Sequence, residues 1–133
     1  MSAVTSQWSP RVLSILRIVA GYALFTHGSA KLLGFPKVDM FANLQIASLY
    51  GVAGILELIL GALLVIGLFS RFAAFIASGL CAAAYFIGHV SASTFFFPLL
   101  NGGEAAVLFC FIFLYLAVAG PGSWSVDSAR NAA

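Results

Sequence analysis

Arg17, His27, Lys31, Glu57, His89 and Glu104 stand within or at the edges of long apolar stretches. Imidazole, ammonium and carboxylate groups held together can pass protons or hydrogen-bond carbonyl oxygens; without the ammonium, the same set could hold a metal ion. Lys31 argues against the metal, because its charge repels a cation, and no metal ligand set is assigned. A charge isolated at mid-bilayer costs about 2.5 to 3.5 kcal/mol on insertion scales, so Glu57 in particular must be paired or protonated. Tyr85 and Asn101 add neutral hydrogen-bonding groups to the same set.

The spacing of these residues is helical. At about 100° of rotation per residue, Arg17, Gly21, Leu24, Gly28 and Lys31 share a narrow stripe, with His27 at its edge. Tyr50, Gly54, Glu57, Gly61 and Leu64 form a second such face, where small residues let a neighbouring helix approach an inward-pointing carboxyl. Ser78, Cys81, Tyr85 and His89 form a third. Asn101 and Glu104 open the last apolar segment with the spacing of an N-cap followed by an acid three residues on.

The elements that carry these stripes must cross a membrane. The 133 residues are 62% hydrophobic and 8% charged, with a mean hydropathy of +1.09, far from soluble domains that are about a quarter charged. Four spans of about 20 residues account for most of the length. The expected fold is all-α, an integral membrane four-helix bundle, with spans near residues 12–35, 47–69, 72–96 and 104–119. Residues 12–128 form one transmembrane domain, flanked by polar tails at 1–11 and 129–133. The loop from Pro36 to Ile46 has room for one amphipathic turn, and the short Ser70-Arg71 connection makes spans two and three antiparallel neighbours. The N-terminus does not read as a cleaved signal peptide, since its apolar run is long and interrupted by Arg17. Net charge is only +2, with no basic patch for nucleic acid. Cys81 and Cys110 show no metal or redox spacing and read as small buried hydrophobes near the midplane.

Lys and Arg near the span ends set an orientation: Arg11, Arg71 and Arg130 at one side against Lys37 at the other, which places both termini in the cytoplasm. With about 1.5 Å of rise per residue, His27, Lys31, Glu57, His89 and Glu104 then gather in the outer half of the bundle. Arg17 stays toward the cytoplasmic half, within reach of Glu57 or of headgroups. Such a cluster is either a brace that fixes helix register or a site.

Together, Arg17, His27-Gly28-x-x-Lys31, Glu57 within GILELILGALLVIGL, Arg71-x-Ala-Ala, His89, Asn101-Gly-Gly-Glu104, Gly120-Pro-Gly and Ser125-Val-Asp127 resemble the DoxX family of small bacterial and archaeal membrane proteins. The resemblance covers roughly residues 13–128. It implies a four-helix bundle in the cytoplasmic membrane and a setting in thiol or sulfur redox chemistry, since the family is named for the membrane subunit of a thiosulfate–quinone oxidoreductase.

On this reading the chain is the membrane subunit of a thiol- or sulfur-linked redox system acting on or near a quinone. His27, Lys31, Glu57, Tyr85, His89, Asn101 and Glu104 line its ligand pocket, and Arg17, Arg71 and Asp127 belong to a structural polar network. The sequence has no haem-attachment motif, no flavin or nicotinamide fingerprint and no paired thiols. An electron donor must therefore be a partner protein. The expected partners are the lipid bilayer, a redox protein and further copies of the chain. The other readings are a non-enzymatic assembly or scaffold protein and a metal or small-solute carrier.

Overall fold

The computed structural model describes residues 2–132. Its helices are α1 (Ala3–Leu32), α2 (Leu49–Ile66), α3 (Ser70–Gly88), the single-turn α4 (Pro98–Asn101), α5 (Glu104–Ala119) and α6 (Val126–Ala132), with a 3-10 turn at Asp39–Phe41. No strand occurs among the described residues. α1, α2 and α3 are long and apolar enough to cross a membrane; α5 is apolar and shorter, at 16 residues. Their outer faces carry large apolar side chains such as Val19, Ile59, Phe75 and Phe111, as expected where the solvent is lipid. The protein is a helical membrane bundle.

The start of α1, the end of α3 and the C-terminal segment depart most from the expected spans. α1 begins nine residues before Val12, because the Ser2 hydroxyl accepts the Thr5 N–H and caps it. Pro10 consequently lies inside the helix. α3 stops at Gly88 instead of continuing to Phe96. Beyond it, the Ser91 backbone N–H donates to the Thr94 hydroxyl and the Phe95 carbonyl accepts from Tyr85, local bonds that compete with helix continuation. The C-terminal segment folds back as α6 instead of trailing as a tail.

α1 packs most closely on α2, and α3 on α5. Glycine allows the first of these contacts. A Cβ on Gly28 would stand 2.6 Å from the Gly54 carbonyl oxygen and 2.7 Å from the Leu58 nitrogen; one on Gly61 would stand 2.6 Å from the Phe25 nitrogen. The second contact sets Phe113 and Leu116 of α5 in the core beside the small face of α3, Ala73, Ala74 and Ala77. α2 and α3, joined by residues 67–69, touch less extensively than either of these pairs. The core, from Leu24 and Leu60 to Cys81 and Phe113, lies where the four long helices meet.

Candidate functional site

The polar residues form three groups. The first joins α1 to α2. Lys31 Nζ lies 2.6 Å from Glu57 Oε1, with both side chains about nine-tenths buried, and the ammonium also sits 5.5 Å from the Phe41 ring centroid. Glu57 Oε2 is buried with no hydrogen-bond partner. Ammonium carries three donors and a carboxylate accepts through both oxygens. The pair therefore has one buried acceptor and further donor capacity unused.

The second group closes the same end of the bundle. Tyr85 OH donates to the Phe95 carbonyl at 2.8 Å and accepts from Asn101 Nδ2 at 3.1 Å. Asn101 Nδ2 also donates to the Thr94 carbonyl, and Asn101 Oδ1 accepts the Gly103 N–H. Asn101 is thus the last residue of α4, and Gly103 occupies the N-cap of α5; the expected Asn101–Glu104 capping pair does not form. His89 Nδ1 lies 3.2 Å from the Asn101 carbonyl. A carbonyl can only accept, so Nδ1 is the donor.

The third group holds the end that carries both termini. Arg17, 1% exposed, donates to the carbonyls of Leu64 at 2.8 Å, of Trp124 at 2.7 Å and of Pro121. It does not pair with Glu57; its cation sits on the last turn of α2 and on the C-terminal loop, where carbonyls are unpaired. Arg71 likewise donates to the carbonyls of Ala117 and Val118 in the last turn of α5. Asp127 accepts the N–H groups of Phe69 at 2.9 Å and Ser70 at 2.8 Å, capping α3 from 57 residues away. Burial pushes its carboxyl up, but the backbone N–H groups of Ser70 and Phe69 more than offset this and hold it below its ordinary value. Ser14, fully buried, ties the two termini by donating to the Pro10 carbonyl and accepting the Trp124 N–H. Sequence reasoning missed Ser14, since a lone serine in a span carries no signal.

Two residues expected in the outer cluster are not there. His27 and Glu104 lie on exposed faces, and among the described residues neither makes a hydrogen bond or an ion pair. One position off the Gly28–Lys31 stripe is enough to swing His27 out of the α1–α2 contact. Glu104, in the first turn of α5, stands where the helix dipole favours an acid. Among the described residues no three His, Cys, Asp or Glu side chains are grouped to hold a metal ion, and both cysteines are free. Ser78 Oγ donates to the Cys110 carbonyl at 2.7 Å, fastening α3 to α5.

A polar interior enclosed by lipid-facing helices defines a multi-pass membrane protein without a soluble lobe among its described residues. A model of the DoxX family matches residues 12–90. An uncharacterized protein of Haemophilus influenzae is 41% identical over 124 residues, which cover 92% of each chain. The chain belongs to the DoxX family. No solved structure matches it.

Proposed function

We propose that this chain is the membrane subunit of a thiol- or sulfur-linked redox system that acts on or near a quinone. The observation that supports this most is the unpartnered, buried Glu57 Oε2 beside Lys31. A carboxylate fully occupied by its ion pair would only brace α1 against α2. This one keeps an acceptor for a hydroxyl or a proton, and Lys31 keeps donors for a carbonyl oxygen. A quinone supplies two-electron, two-proton chemistry, and its carbonyl and hydroxyl forms match those two halves. Lys31 and Glu57 would hold it and exchange the proton, with Tyr85 and His89 at the same end of the bundle. The electron donor is a partner protein, the membrane is the cytoplasmic one, and both termini face the cytoplasm.

Purification in mild detergent, with lipid quinones, metals and co-eluting proteins all assayed, tests this. Quinone near one per chain in the native protein, falling in Glu57→Gln while the helical signal persists, is the expected result. Equal retention by both proteins removes the pair from the reading.

One observation favours an assembly or scaffold role instead. The Tyr85 hydroxyl and the Asn101 side-chain amide are already engaged by protein groups, which is what a brace requires. A stable protein partner that co-purifies without any quinone would support that role.

A further inference from the structure

At the end of the bundle that holds the termini, a groove of about 390 Å³ opens between the start of α3 and α6, lined by Phe69, Arg71, Phe72, Pro121, Asp127 and Arg130. Neither guanidinium in it is saturated. Arg71 uses NH1 on the carbonyls of Ala117 and Val118, while its NH2 lies over Gly120, so close that a Cβ there would stand 2.8 Å away. Arg130 stacks 5.3 Å from the Phe69 ring centroid and makes no hydrogen bond among the described residues. The one acid in the groove, Asp127, is already engaged: its two oxygens take the Phe69 and Ser70 N–H groups, and Arg130 lies near enough to attract it without a direct ion pair. The groove therefore presents two cations against one anion that is already engaged, with free N–H donors in planar forks. Such forks match phosphate oxygens.

Location narrows the source of the phosphate. α3 begins at Ser70, so the groove lies where a membrane-crossing helix leaves the bilayer. Phe69 and Phe72 are exposed beside the two guanidinium groups, an apolar surface against which acyl chains can lie. We infer that this groove between α3 and α6 binds the headgroup phosphate of an anionic phospholipid, held by Arg71 and Arg130 over Phe69 and Phe72. Binding would fasten α6, and through Asp127 the start of α3, to the membrane surface.

The test uses the full chain in mild detergent with equal amounts of phosphatidylglycerol and phosphatidylcholine, bound lipid being counted by native mass spectrometry. The native protein is expected to retain phosphatidylglycerol in preference, and the preference to fall as salt is raised. Arg130→Gln should reduce it about five- to tenfold. Its melting temperature should fall only slightly, because the lost side chain makes no hydrogen bond among the described residues and its stack on Phe69 is exposed. Arg130→Lys, which keeps the charge, should retain more lipid than Arg130→Gln. Equal retention of the two lipids by the native protein overturns the assignment, as does a preference that is insensitive to both salt and Arg130→Gln. A parallel melt in millimolar inorganic phosphate separates the sources: stabilisation by phosphate without any lipid preference would overturn the lipid in favour of a free anion.

Discussion

The Lys31–Glu57 contact settles which partner Glu57 has, and it can be read by a double-mutant cycle. Removing one member of a buried ion pair costs about 3 to 5 kcal/mol, because the other charge is left uncompensated. Lys31→Met should therefore lower the melting temperature sharply, and adding Glu57→Gln should recover part of the loss. The same Glu57→Gln change combined with His27→Ala is expected to be additive, since His27 is exposed and does not meet Glu57. Coupling with His27 of the size seen with Lys31 would mean that the exposed histidine turns inward. At the opposite end, Asp127→Ala should cost about 0.5 to 2 kcal/mol, the usual range for a lost N-cap. The held-down carboxyl of Asp127 gives that loss a pH dependence. A folded value below the unfolded one means that the stabilisation is present above the ordinary carboxylate range, about pH 4, and is lost as pH falls through the folded value. The gap between the native and Asp127→Ala melting temperatures should accordingly close on acidification; a gap constant with pH would show that the charge is irrelevant to the cap.

Among the elements, the α1–α2 contact is the one that tolerates least. The atoms that a Cβ at Gly28 or Gly61 would meet are mainly backbone, which cannot rotate aside, so the helices must separate. Gly28→Ala and Gly61→Ala are each expected to cost about 1 to 3 kcal/mol, the range for overpacking a close contact. Gly79 of α3 is the internal control. Nothing lies within 4 Å of its would-be Cβ, and Gly79→Ala should be neutral or gain up to about 1 kcal/mol from helix propensity. Thermal melts of the three variants in one detergent decide this, and equal losses at all three would remove close packing as the cause. Such separation would also pull Lys31 from Glu57, because Gly28 and Gly54 flank that pair. A binding loss in Gly28→Ala thus belongs to the element and not to the ion pair itself.

For the whole molecule, the first half of α1 and the C-terminal segment meet at one end of the bundle. Arg17, Ser14 and Asp127 fasten the C-terminal segment to α1, α2 and α3 at that side, whereas the other end is closed by loops around Tyr85 and Asn101. Compartment-sensitive reporters at both termini and in the 36–46 loop should report the termini together in the cytoplasm and the loop outside. A cytoplasmic loop signal would invert the proposed topology, and with it the side from which Glu57 is reached. Deleting residues 126–133 should lower stability by more than the loss of a surface tail, since it uncaps α3.

Membrane class, the all-α bundle and the inward faces of α1 and α2 were legible in the sequence, because a bilayer permits few solutions and glycine and charge spaced by whole helical turns mark one face. The membership of the polar groups was not. His27 and Glu104 have the right depth but the wrong azimuth, and a rotation of one residue, about 100°, separates a stripe from its outside. The ends of α3 and the role of Asn101 depended on side-chain bonds to loop backbone that no periodicity records. Most of all, the partners of Arg17 and Asp127 lie up to 107 and 58 residues away. Both bind main-chain carbonyl or N–H groups, which every residue type carries alike, so only the tertiary structure could decide which ones they would meet.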